Sequence, residues 1–229
     1  MTIEERLFAL QDARYRDFHK GLVPGMPDGY IIGVRMPDLR RLAKEIDAER
    51  LLNTLPHRYY EENQLHALVL SGMKDYERCL TEVERFLPYV NNWASCDGLR
   101  PRCFAKHTNK LLPHIKQWLK SKHEYTVRFA IGMLECFYLD EHFSPEQLQW
   151  VATLDREEYY IRMMQAWYFA TALAKQWEAT LPIVPTLPDW VRRKTIQKAH
   201  ESFRVSNEHK KILKNSSAFI VYDCKATNQ

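Results

Sequence analysis

In the stretch NNWASCDGLR, residues 91–100, Trp93 and Asp97 stand four residues apart. On a helix that spacing puts one above the other on a single face. A broad aromatic plane beside a carboxylate can hold a sugar ring and oppose positive charge developing on it. Two later segments supply further groups of the same kind, Arg128 in YTVRFAIGML and Trp167 in EYYIRMMQAWYFATALAK. The four suit chemistry on the sugar of DNA. Asp97 would stabilise an oxocarbenium-like centre and orient the attacking water, and Trp93 and Trp167 would lay their faces against the sugar. Arg128 would grip a phosphate through its planar fork or orient Asp97. Each has a plainer alternative. Asp97 could pair with Arg100 or another base, either tryptophan could be packing, and Arg128 could bridge to Glu124 at helical spacing.

Further residues are candidates for DNA backbone contact: Arg35, Tyr159, Arg162 and the run Arg192, Arg193, Lys194. Basic residues gather at Arg35, Arg40, Arg41 and Lys44, at Arg100, Arg102 and Lys106, and at Arg192 to Lys198, although the net charge is only +4. Each gathering could meet phosphates or be the solvated face of a helix. Trp118, Trp150, Trp177 and Trp190 are assigned to packing between helices. Cys96, Cys103, His107 and His114 fall close in sequence without a Cys-x-x-Cys anchor, so no metal is expected. Phosphate-binding loops and dinucleotide fingerprints are missing, as are the serine elbow and the HExxH pair. No lysine stands out as a Schiff-base nucleophile, and no cofactor is expected.

The elements that must position these groups read as helices. Only seven glycines occur in 229 residues, and strand-like alternation is nearly absent. Ile3, Leu7, Leu10 and Phe18 form one apolar stripe, followed by a glycine-rich connection, GLVPGMPDGYIIGVR. Met36-Pro37-Asp38 starts a helix whose buried face is Leu39, Leu42, Ala43 and Ile46. Further helices are expected over Arg58–Ser71, Tyr76–Leu87, Trp93–Lys106, Lys110–Ser121 and Glu124–Leu139. They continue over Pro145–Ala152, Glu157–Lys175, Pro188–Phe203 and Ser206–Lys214. Ser144 before Pro145 reads as an N-cap, and prolines also punctuate at 56, 88, 113 and 188. Helix pairs every 35–45 residues fit a HEAT or armadillo-type repeat, although an ordinary helical bundle has the same signature.

Composition sets the remaining bounds. The chain is 45% hydrophobic and 27% charged, ordinary for a folded domain. Its charged start, MTIEERLFALQDARYRDF, does not read as a secretory leader, and no apolar run approaches the ~20 residues that span a bilayer. Five cysteines without paired spacing fit reduced thiols, so a cytoplasmic monomer is expected. One domain over residues 1–214 and an irregular tail over 215–229 are expected, with Phe219 to Tyr222 tucked against the body.

From Phe18 to Lys214 the chain resembles the AlkD-like DNA alkylation-repair glycosylases, which are built from HEAT-like repeats. The resemblance rests on five blocks in the family's order: GVRMPDLRRLAKEI, NNWASCD, YTVRFAIGML, EYYIRMMQAW and KTIQKAHESFRVSNEHKKILK. It implies an all-α superhelical array of antiparallel helix pairs with a concave face for duplex DNA carrying alkylated purines. It also implies that the catalytic carboxylate is Asp97, that the sugar-contacting tryptophans are Trp93 and Trp167, and that the family's arginine is Arg128. The activity implied is hydrolysis of the N-glycosidic bond of cationic N3- or N7-alkylpurines without flipping the base. Two alternatives stand beside it, a non-catalytic protein binding damaged or branched DNA and a protein-binding helical scaffold.

Overall fold

The computed structural model describes residues 1–214; the tail expected over 215–229, with Phe219 to Tyr222 and Cys224, lies outside the described residues. The fold is all-α, with no strand among the described residues. Two compact units are formed, Met1–Ala130 and the residues from Ile131 onward.

The first unit contains α1 (Ile3–Ala9), α2 (Ala13–Leu22), α3 (Met36–Leu42), α4 (Ala48–Leu52), α5 (Tyr60–Gly72) and α6 (Tyr76–Phe86). They are followed by α7 (Trp93–Gly98), α8 (Thr108–Trp118) and the first part of α9 (Glu124–Phe137). Helix starts follow short polar caps. Thr2, Asp12, Asp47, Asp75 and Asn92 each accept the backbone N–H of the third residue of the helix they open. The core gathers Leu7, Ile32, Val34, Leu39, Leu42, Leu51, Tyr59 and Leu65.

Two expectations about this unit are corrected. Ile3 to Phe18 is not one stripe, because the chain turns at residues 10–12 and Asp12 opens a new helix; Leu7 is fully buried while Phe18 is largely exposed. Nor does one helix run from Trp93 to Lys106. It ends at Gly98, and a 3-10 turn covers Arg102–Lys106. The break is Pro101, whose ring disfavours helical backbone at Arg100 and cannot donate to the preceding turn. Two short helices, α4 and one at Trp177–Thr180, escape the sequence reading because four or five residues are too few to show a period.

The second unit continues α9 and adds α10 (Pro145–Ala152), α11 (Tyr159–Lys175), α12 (Trp177–Thr180) and α13 (Asp189–Glu201). A last helix, α14, covers residues 207–214. α10 begins on a capping box between Ser144 and Gln147, as Ser144-Pro145 predicts. Val205 and Leu213 bury with Ala170, Leu173, Val184 and Ala199, so the KTIQKAHESFRVSNEHKKILK block closes this unit's core.

Candidate functional site

α7 carries the first pair of groups, and its placement starts one residue before it. Asn92 is fully buried and accepts the Ser95 N–H at 2.8 Å, and its amide donates to the Ser95 hydroxyl at 3.1 Å. Gln64 of α5 donates to the same hydroxyl at 3.0 Å. Further along, the Ser71 hydroxyl meets the Gly98 carbonyl at 3.3 Å and accepts the Arg100 N–H at 2.8 Å. Contacts at 64–95 and 71–98 advance together, so α5 and α7 run side by side in one direction. This six-residue helix is too short to hold itself, and its neighbour fixes it.

Trp93 opens α7. Its indole N–H donates to the Leu22 carbonyl at 3.0 Å, and the half-buried ring packs against the cluster of Val23, Ile31 and Tyr60. The packing alternative thus describes part of its surface. Beside it the Tyr30 hydroxyl is shared between Asn63, whose amide donates at 2.9 Å, and Asn91.

Asp97 lies one turn further on. Arg128 of α9 meets its carboxylate with two parallel hydrogen bonds, Nε to Oδ1 at 2.8 Å and Nη2 to Oδ2 at 2.7 Å. The Arg128 side chain is only 7% exposed, whereas that of Asp97 is 34% exposed. Burial opposes the charge on Arg128, and the hydrogen bonds and charge of Asp97 outweigh it, so its pKa rises above the ordinary arginine value. Of the two tasks the sequence allowed Arg128, orientation of Asp97 is the one its fork is engaged in. Arg100 turns to the Asp97 backbone carbonyl at 3.0 Å, not to its carboxylate. The result is a rigidly held carboxylate with an open side, one helical turn from an anchored indole.

The other candidates fall as follows. Arg35 donates from Nε and Nη2 to one oxygen of Asp12, Oδ2, at 3.0 and 2.8 Å, and lies over the Tyr15 ring. In the second unit Trp167 is 47% exposed, with the Lys198 ammonium 5.2 Å from its ring centre. Tyr159 is also exposed, Arg162 lies over the Trp190 ring, and Arg192 and Arg193 both reach Asp189. Trp118 is buried against Phe129 and Trp177 stacks on His209, as packing residues should. Among the described residues no three His, Cys, Asp or Glu side chains gather as metal ligands. The supporting polar residues Gln64, Ser71 and Asn92 carry no sequence signal. Their roles arise from contacts 27 to 31 residues away, apart from the N-cap of Asn92.

Residues 9–173 match the family described as DNA alkylation repair enzyme. The chain belongs to this family. The match spans α7, α9 and most of α11, and therefore Trp93, Asp97, Arg128 and Trp167. Membership makes the protein a DNA repair protein and, on the family's description, an enzyme acting in repair. No curated protein matches the chain. Among the described residues no helix is long and apolar enough to cross a membrane.

Proposed function

We propose that the protein is a monofunctional DNA glycosylase that hydrolyses the N-glycosidic bond of cationic N3- or N7-alkylated purines in duplex DNA. The observation that carries this reading is the Asp97 carboxylate, clamped at both oxygens by a buried arginine yet one-third exposed and one turn from Trp93. In this reading residues 1–214 act as one HEAT-like domain, and Trp167 joins Trp93 in facing the sugar.

Alkylation leaves the purine positively charged. When the C1′–N bond breaks, its electron pair passes to the base, which departs neutral, and the sugar becomes oxocarbenium-like. Asp97 offsets that charge and orients the water that bonds to C1′, and the water's proton leaves through the carboxylate or to solvent. Arg128 keeps the carboxylate aimed. The indole faces favour the cation through their quadrupole. A cationic base needs no general acid to leave, and no residue of the site is assigned to that task. A site gripping sugar and backbone has no need to extract the base, in contrast to enzymes that read a flipped base in a pocket.

The test is release of bases from duplexes carrying N3-methyladenine, N7-methylguanine, a bulky N7 adduct, uracil or hypoxanthine. The three cationic lesions should be released and the two neutral bases left in place. Asp97→Asn should slow release by roughly 100-fold or more with DNA affinity nearly unchanged. Wild-type protein that binds the duplexes and releases nothing would belong to the non-catalytic alternative.

A further inference from the structure

Several basic side chains of the second unit are already matched by acids. Arg156 pairs with Glu158, Lys175 with Asp140, Arg192 and Arg193 with Asp189, and Lys198 with Glu201. Arg162 and Lys194 differ. Neither meets a carboxylate among the described residues, and both lie against one indole. The Arg162 guanidinium carbon is 5.0 Å and the Lys194 ammonium 5.9 Å from the centre of the Trp190 ring. Lys194 also donates to the neutral side-chain oxygen of Gln197, at 3.0 Å. Tyr159, 58% exposed, stands edge-on to the same ring at 5.8 Å.

Trp190 and Lys194 share one face of α13, four residues apart, and Arg162 projects from the first turn of α11. The contacts 159–190, 162–190 and 167–198 advance together, so α11 and α13 lie side by side in the same direction. Their positive dipole ends therefore meet at the end that carries the two unmatched cations. Asp189, the acid in the first turn of α13, is already bound by two arginines. One turn beyond Lys194, the Lys198 ammonium lies 5.2 Å from the centre of the Trp167 ring.

We infer that Trp190 is a positioning residue for DNA binding, holding Arg162 and Lys194 as a two-cation clamp for backbone phosphates of the strand whose sugar Trp167 faces. The inference rests on the proposed glycosylase reading for the role of Trp167 alone; the clamp itself needs only a polyanionic strand. An aromatic plane holds a guanidinium flat without neutralising it, which a carboxylate cannot do. The N–H edge stays free for bidentate contact with a phosphate.

The clamp is tested by the salt dependence of affinity for an unmodified fluorescent duplex, measured between 50 and 300 mM salt, conditions chosen for the assay. Arg162→Gln and Lys194→Gln should each reduce the slope of log affinity against log salt by about 0.9, one phosphate contact apiece. Trp190→Leu should reduce it by up to about twice that, while Trp190→Phe, which keeps a π face, should keep most of it. Lys175→Gln, whose charge is matched by Asp140, should leave it unchanged. An unchanged slope in both Arg162→Gln and Lys194→Gln overturns the clamp, as does a Trp190→Phe slope equal to that of Trp190→Leu. Base release by the wild type is assayed on the same preparations. Release with unchanged slopes removes the clamp and leaves the glycosylase reading, whereas altered slopes without release do the reverse.

Discussion

A carboxylate used against a developing cation must be aimed, and at Asp97 one side chain secures this. Two parallel nitrogen donors fix the plane of the carboxylate as well as its position, which a lysine ammonium, a single point charge, cannot do. Arg128→Lys should therefore leave a charge pair and lose the aim. Single-turnover release of alkylpurine should fall roughly 10–100-fold, the scale expected of a small misplacement at a reacting centre. DNA affinity and its salt slope should stay near wild type, because a buried fork engaged with Asp97 is not spent on phosphate. A parallel loss of affinity, release and slope would show that Arg128 reaches the backbone. Trp93 is partly structural by the same standard. Its indole N–H is committed to Leu22, so Trp93→Phe should cost about 1 kcal/mol of stability, read from the urea midpoint, besides any effect on release.

At the scale of elements, the connection between α2 and α3 shows how the site is walled. Residues 32–34 turn their N–H groups onto the buried Glu61 carboxylate of α5, at 2.9, 2.7 and 3.2 Å. Burial raises the Glu61 pKa, and the three backbone donors act against that rise. Gly33 has φ +98°, and a Cβ there would lie 2.5 Å from the Arg16 Cβ and 2.7 Å from the Asp12 carbonyl oxygen. Ile31, next to this anchored turn, belongs to the cluster that supports Trp93. Gly33→Ala and Glu61→Gln should each lower unfolding free energy by roughly 2 kcal/mol or more, and both should loosen Trp93. Near-wild-type urea midpoints would contradict this account of the turn.

The same segment shows what could be read from the chain. Its glycines marked a connection, but its order depends on a glutamate about 28 residues away that looked like any helix-face acid. Helices with long amphipathic periods were legible, and α10 matches the expected span because Ser144-Pro145 fixes its start by local chemistry. α7 was legible at its start, Trp93, and not at its end, because Pro101 interrupts an otherwise continuous helical period. Trp93 and Asp97 were legible as a pair from spacing alone. The choice among partners for Arg128 was not, since only folding brings α9 to α7. A lone indole carries no sign of the cations around it, so the sequence does not separate Trp190 from the packing tryptophans. Arg162 lies 28 residues away on another helix.

The whole molecule couples charge and stability to pH through its histidines. His57 and His66 share a 2.8 Å hydrogen bond between Nε2 and Nδ1 inside the first unit, with His66 stacked on Phe86. Burial pushes His57 down to about 4, and burial together with the neighbouring His57 and Arg85 charges pushes His66 down to about 3. His19 and His123 are lowered too, again chiefly by burial. For a base whose folded pKa is depressed, the unfolded chain binds more protons between the two values. Stability is then complete above about pH 6.5 and falls as pH drops toward 4, by roughly 1.4 kcal/mol per pH unit for each such histidine. Glu61 works in the opposite sense, since a carboxyl raised by burial favours the folded state as it protonates. Between pH 7 and 5 the histidines should dominate, and urea midpoints should fall steeply. The double variant His57→Leu/His66→Leu removes both titrations and leaves no half-satisfied partner, so its midpoint should change far less over that interval. A double variant that keeps the wild-type pH slope would place the sensitivity at some other group.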